Sequence, residues 1–274
     1  MLRARILTAA ALLALLGVLL FKASPAVWQG AILVAVLGAS WEWAGLARFP
    51  DVSRGVYVLA TAGLAGLLSW AAVPDSTAML KALYAVSMLF WVAGVPFWLI
   101  RQWRVESPAM LALTGWVVIL PAGFALISLR MAGPWVLLMF MMVVWLSDTA
   151  AYLVGRVVGQ HKLAPVISPG KTWEGVAGAF AVVLIYAVTL WQWDAQGKDA
   201  IGQVIHATGS GWIPLLLAMT VLGIEGDLFE SWIKRCAGVK DSGTALPGHG
   251  GILDRIDALT ATLPLVALML LEQG

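Results

Sequence analysis

A chain of 274 residues that is 61% hydrophobic and 12% charged carries about half the charge of a water-soluble domain, which excludes an ordinary soluble globule. The net charge of +2 argues against nucleic acid as a partner, and the single cysteine, Cys236, excludes an internal disulfide and any cysteine-built metal site. Where the charges fall therefore matters more than their sum.

A bilayer crossing takes about 20 apolar residues. About nine segments approach that length: residues 6–21, 27–47, 55–73, 82–100, 110–129, 133–158, 173–190, 212–224 and 252–271. The eighth is short and is expected to continue as a helix into the polar stretch behind it. Most of the 15 tryptophans, among them Trp28, Trp70, Trp103, Trp173, Trp191 and Trp212, fall near segment ends, as an interfacial aromatic belt would place them. Trp41, Trp43, Trp91 and Trp145 lie outside that pattern. Segment one also has signal-peptide features, since Arg3 and Arg5 precede it and Ala23, Ser24 and Ala26 follow it, but a membrane span is the preferred reading. With the N-terminus inside, 13 of the Lys and Arg residues fall on one side of the nine-span arrangement and 4 on the other. The positive-inside rule then puts the N-terminus and the region 225–257 in the cytoplasm and the C-terminus outside.

The expected fold is thus all-α: a polytopic transmembrane helical bundle of about nine spans with a cytoplasmic N-terminus. No internal repeat or low-complexity linker divides the chain, so polarity does. Residues 1–130 are expected to be N-terminal transmembrane scaffold helices that offer dimer contacts, and residues 131–274 a C-terminal transmembrane catalytic region. Glu42 is the main ionisable residue inside the spans of the first half. Asp148, Arg156, Glu174, Asp227, Glu230, Asp254, Arg255 and Asp257 lie in or beside those of the second. An ionisable group at the centre of a bilayer costs about 2.5–3.5 kcal/mol on insertion scales, so such residues mark polar cavities and function.

The densest charge runs from Glu225 to Asp257. A helix through it sets Asp227, Glu230, Ser231 and Lys234 at i, i+3, i+4 and i+7, on one face, with Leu228, Phe229, Trp232 and Ile233 turned to lipid or protein. A solvated surface stripe is the bland alternative, and the apolar span directly before the helix weighs against it. A glycine-rich loop follows, carrying Lys240, Asp241 and His249, whose backbone N–H groups could approach an anion closely. The loop matches neither the phosphate-loop nor the dinucleotide pattern, and a lone histidine such as His249 is more often structural. Asp254 and Asp257 then share a face at the mouth of the last span. Their hard oxygens, with Asp227, favour Mg²⁺ shared with substrate phosphates, while ion pairing with Lys234 and Arg255 is the alternative; Asp241 is a weaker fourth ligand.

These residues carry a resemblance. Ser231-Trp-Ile-Lys234-Arg235, then Lys240-Asp241, then the run from Leu246 through His249 to Asp254-Arg255-Ile256-Asp257 resembles the signature of the CDP-diacylglycerol synthases, also called phosphatidate cytidylyltransferases. Upstream, the stretches from Ser147-Asp148 to Gly155-Arg156 and from Ser168 to Gly175, with Lys171, are similar to the same family. The resemblance implies that CTP and phosphatidate give CDP-diacylglycerol and pyrophosphate with Mg²⁺, a second metal ion being left open, in a homodimer of the bacterial inner membrane whose site faces the cytoplasm. It makes Asp227, Lys234, Asp254 and Asp257 the catalytic set, with the three aspartates as metal ligands. Asp148, Lys171, Ser231, Arg235, Lys240, Asp241 and His249 become the substrate-binding set. An ion-coupled transporter is disfavoured because there is no repeat and the charge collects at one face. A CDP-alcohol phosphotransferase is disfavoured because Asp241 is followed by Ser242-Gly243-Thr244 rather than that family's Asp-Gly pattern. Cys236 has no place in this chemistry, so Cys236→Ala should leave turnover of CTP and phosphatidate near the wild-type rate; a large loss would show that the loop has been misread.

Overall fold

The computed structural model describes residues 2–71, 77–193 and 199–273, with side chains for residues 7–70, 77–193 and 199–272. Val73, the expected end of the third segment, Lys198 and the side chains of Arg3 and Arg5 fall outside these. Each apolar segment is helical: α1 Leu2–Phe21, α2 Pro25–Leu46, α3 Asp51–Ala71, α4 Thr77–Leu89 continuing into α5 Val95–Arg101, α6 Pro108–Ala132, α7 Pro134–Val158, α8 Trp173–Trp193, α10 Trp212–Ala237 and α11 Leu253–Gln273. Among the described residues, six helical stretches are long and apolar enough to cross a membrane: Asp51–Trp70, Thr77–Arg101, Pro108–Ala132, Pro134–Val158, Trp173–Trp193 and Ala200–Ala237. The chain is therefore a helical bundle with several helices of membrane-spanning length.

Local chemistry sets the helix ends. Ser24 and Ser107 accept hydrogen bonds from Val27 N (3.3 Å) and Met110 N (3.4 Å), each directly before a proline in the first helical turn. Pro96 has no N–H, and a turn of π-helix over Phe90–Gly94 precedes it, so that α4 and α5 form one interrupted stretch. Two further elements lie between the apolar segments. Residues 159–172 fold into a hairpin of β1 (Lys162–Ala164) and β2 (Ser168–Thr172), antiparallel with Lys162 opposite Thr172. Residues 191–211 contain the short α9, Ala200–Thr208, capped by Asp199. Both are too short to leave a clear periodic signal.

Helices α10 and α11 lie at the centre. They pack on each other, α11 also packs on α4 and α6, and α10 also packs on α8, which lies against α7. Gly226 permits the α10–α11 approach, because a Cβ there would stand 2.7 Å from the Asp257 carbonyl oxygen. On its other side α10 sends Phe229 into an aromatic box. Trp43 stacks on it at 6.4 Å, and Phe90, Trp91 and Trp98 meet it nearly edge-on at 5.4 to 5.7 Å. Phe229, Trp232 and Ile233 are all buried against protein rather than lipid.

The box explains why Trp43 and Trp91 stood outside the belt pattern. Trp28 and Trp212 correct the belt in the opposite sense: both are buried, and each indole N–H donates to a helix carbonyl, Leu126 O at 3.3 Å and Ala187 O at 3.0 Å. An indole that satisfies its N–H inside the protein has no need of the interface. Trp70, Trp103, Trp173 and Trp191 remain exposed, as a belt requires. Because Phe229 joins α2 and the α4–α5 stretch to α10, Phe229→Ala should destabilise the fold by on the order of 3–5 kcal/mol. Tryptophan-fluorescence melting in detergent reads this as a lowered Tm, and an unchanged Tm would remove Phe229 from the core.

Candidate active site

Four structural units bring charged side chains to one cavity of about 770 Å³. Helix α7 supplies Asp148, the hairpin Lys162 and Lys171, α10 Asp227, Ser231, Lys234 and Arg235, and the loop with α11 supplies Lys240, Asp241, Asp254, Arg255 and Asp257. Seven cationic side chains and five carboxylates line it, so the cavity suits a polyanion better than a cation alone. Ala151, Tyr152, Val176 and Ile224 give it an apolar wall. Of the expected site residues, only His249 stands apart. It lines an adjoining cavity of about 600 Å³ that shares Lys240, Asp241 and Arg255.

Helix α8 places the hairpin. Thr172 Oγ1 accepts from Gly175 N at 3.2 Å and caps the helix start. Glu174, in the first turn, accepts from His161 N at 3.2 Å and lies 2.6 Å from His161 Nδ1, which pins the hairpin base to the helix. Lys171 is thereby held over α10. Its Nζ lies 2.7 Å from Asp227 Oδ2 and donates to Ile224 O at 3.2 Å, while Ser231 Oγ donates to Asp227 Oδ1 at 3.2 Å.

Along α10 the expected face divides. Asp227, Ser231 and Lys234 line the cavity, whereas Glu230 is buried beneath it. Lys234 Nζ lies 2.6 Å from Asp254 Oδ1 and 3.4 Å from Glu230 Oε2. The predicted alternative of ion pairing is thus present for Lys234 and Asp254, and Arg255 opens to both cavities instead. Asp254 Oδ2 accepts from Gly251 N (2.8 Å) and Ser242 N (2.9 Å), and the Ser242 hydroxyl oxygen lies 3.0 Å from it. Asp257 accepts from Ala258 N at 2.8 Å and lies within electrostatic range of Asp227, Asp148 and Glu230.

The donor set at the cavity is oxygen-rich and free of thiols, which fits Mg²⁺. Among the described residues no three His, Cys, Asp or Glu side chains form a ready ligand cluster. Mg²⁺ commonly needs only one or two carboxylates together with substrate phosphates, so the spread carboxylates are compatible with it. The ammonium groups of Lys171 and Lys234 supply the positive charge against Asp227 and Asp254.

Four residues at the site were not foreseen as part of it. Lys162 was hidden by the unrecognised hairpin; Arg156 and Arg255 were noted as charges near spans and within the signature stretches, Arg255 also as an alternative ion-pair partner, but neither in the site. Glu42 is the fourth: from α2 it accepts hydrogen bonds from the backbone of Ile252 and Leu253, both at 2.9 Å. Its one sequence signal was that it is an ionisable residue alone in the apolar first half.

The fold and the cavity define a class: a helical bundle with several helices of membrane-spanning length, whose charged pocket is suited to phosphate groups and is bordered along one wall by apolar residues. A family model described as the cytidylyltransferase family matches residues 3–272. The chain is 34% identical to a phosphatidate cytidylyltransferase of Haemophilus influenzae, with 96% of each protein covered. It is 36% identical to one of Pseudomonas aeruginosa over all of this chain and 98% of that protein, and 39% identical to one of Brucella melitensis over 65% and 63%. The chain belongs to the cytidylyltransferase family and is a nucleotidyltransferase.

Removing one partner of a buried ion pair leaves the other charged and unmatched, at a cost of roughly 3–5 kcal/mol. Lys234→Ala strips the charge partner from both Asp254 and Glu230 and should therefore lower Tm well below that of Lys171→Ala, whose pair with Asp227 is about a third exposed on the carboxylate side. Equal melting temperatures for the two variants would show that Lys234 is not the structural cation.

Proposed function

We propose that this protein is a phosphatidate cytidylyltransferase that makes CDP-diacylglycerol and pyrophosphate from CTP and phosphatidate. The observation that carries this reading is the meeting, in one cavity, of Asp148, Lys171, Asp227, Lys234 and Asp254 from separate stretches of the chain, beside an apolar wall. A soluble triphosphate and a membrane lipid need those two kinds of surface side by side. Membership of the cytidylyltransferase family and the names of the relatives support the same substrates.

In this reaction an oxygen of the lipid phosphate attacks the α-phosphorus of CTP in line, the bond to the β-phosphate oxygen breaks, and pyrophosphate leaves. Little proton transfer is required, so positioning and charge neutralisation dominate. Lys171, Lys234, Arg235 and Lys240 bind phosphate oxygens and offset the repulsion between two polyanions. Asp148, Ser231, Asp241 and His249 orient the substrates, and the lipid enters sideways from the leaflet. Asp227, Asp257 and, through its cavity face, Asp254 would hold Mg²⁺. Such an ion supplies charge neutralisation at the triphosphate and at the departing pyrophosphate.

The same proposal has about nine spans and a cytoplasmic N-terminus, which the excess of Lys and Arg on one side supports. It puts the site on the cytoplasmic face of a bacterial inner membrane, in residues 131–274. Residues 1–130 serve as scaffold and contact the second copy of a homodimer.

Purified protein in detergent, given phosphatidate, labelled CTP and Mg²⁺, should release pyrophosphate and form a CDP-lipid; no release, or equal release with ATP, would sink the assignment. Asp227→Asn should fold normally and lose about 100-fold or more in kcat, and chelation of divalent ions should abolish turnover of the wild type until Mg²⁺ is restored. Turnover that persists through chelation would overturn the metal requirement.

A further inference from the structure

We infer that Glu42 is a positioning residue of the active site, acting from the N-terminal half to fix the glycine-rich loop and the first turn of α11. Its carboxylate is buried at 6% exposure inside α2. Oε1 accepts from Ile252 N at 2.9 Å and Oε2 accepts from Leu253 N at 2.9 Å, with the Ser242 hydroxyl oxygen 2.9 Å from Oε2. The two amides belong to the start of α11, where backbone N–H groups have no partner within the helix and the dipole favours a negative charge. A burial that would be costly for a lone carboxylate is therefore met by a backbone donor at each oxygen.

Ser242 links this carboxylate to the site. Its hydroxyl lies 2.9 Å from Glu42 Oε2 and 3.0 Å from Asp254 Oδ2, and Asp254 Oδ1 in turn meets Lys234 Nζ at 2.6 Å. One chain of contacts thus runs from α2 through the loop to the cation and carboxylate that line the cavity. The fit is close: a Cβ at Gly243 would come within 2.7 Å of Glu42 Oε1, and one at Gly251 within 2.6 Å of its Cδ. The loop is moulded on Glu42, which holds it at Ser242, directly after Lys240 and Asp241, and at its far end at Ile252 and Leu253. Glu42 touches no part of the cavity itself. Its effect on chemistry passes through Ser242, Asp254 and Lys234.

The consequence for turnover rests on the cytidylyltransferase reading, whereas the mooring of the loop does not. Full-length Glu42→Gln, Glu42→Asp and Ser242→Ala, purified in detergent, test both by amide hydrogen exchange over residues 241–253, by Tm, and by kcat and KM for each substrate. The Gln amide offers one acceptor oxygen where the carboxylate offered two and turns a donor toward backbone donors. Glu42→Gln should therefore speed exchange in that stretch and lower kcat/KM for CTP by about 10- to 100-fold, as losses of outer-shell partners do, with KM for phosphatidate little changed. Ser242→Ala should move in the same direction by less, and Glu42→Asp should recover part of the loss. Unchanged exchange in Glu42→Gln and Ser242→Ala would overturn the proposal, as would faster exchange with wild-type kcat and KM. Should Glu42→Gln fail to fold, Ser242→Ala decides by the same criteria. Wild-type protein inactive on CTP and phosphatidate would refute the enzyme reading, and exchange would still decide whether Glu42 holds the loop.

Discussion

The contact between Lys234 and Asp254 joins α10 to α11, and the cavity depends on it. Both side chains are largely buried, with Glu230 beneath them. In a bundle with little water, an ammonium here is tolerable only because two carboxylates receive it, and the carboxylates only because it is there. Gly226 lets the two helices come close enough for the pair to form, and the aromatic box around Phe229 fixes α10 from behind. The backbone N–H groups of Ser242 and Gly251 satisfy the remaining oxygen of Asp254. Helix packing, loop shape and cavity charge are therefore consequences of one neutralised cluster.

Around that cluster the polar and apolar requirements of the bundle are separated in space. The lysines, arginines and aspartates face one cavity, while Ala151, Tyr152, Val176 and Ile224 border it with apolar surface. Lys171 reaches the cavity because β1 and β2 are anchored to α8 by Glu174 and Thr172, so a short hairpin with little strand propensity of its own is ordered by the helix that follows it. Phosphate transfer asks for little covalent work from the protein, and an arrangement of fixed charges next to a lipid-compatible wall is what the proposed reaction requires.

Much of this was legible in the chain. Helical spacing placed Asp227, Ser231 and Lys234 together, and their face does line the cavity. Asp148 and Lys171, drawn in only through the family resemblance, line it as well. The same spacing also grouped Glu230 with them, and there it misled: a shared face does not say how deep each position sits, and α11 covers Glu230 while leaving Asp227 open. The tryptophans divided likewise. Sequence position near a segment end was a fair guide for Trp70, Trp103, Trp173 and Trp191. It failed for Trp28 and Trp212, whose N–H groups find carbonyl partners on other helices.

By itself the sequence determined the helical class, the membrane-spanning length of its segments and the chemistry of the charged stretch, because hydrophobic length, 3.6-residue periodicity and motif are local properties. Only the tertiary structure decided which charges neutralise one another and what holds the loop. Glu42 accepts from Ile252 and Leu253 across 210 and 211 residues, and Lys171 meets an α10 carbonyl across 53. A buried carboxylate must find donors somewhere, but no local pattern says which helix end supplies them. That is settled when α2 and α11 pack.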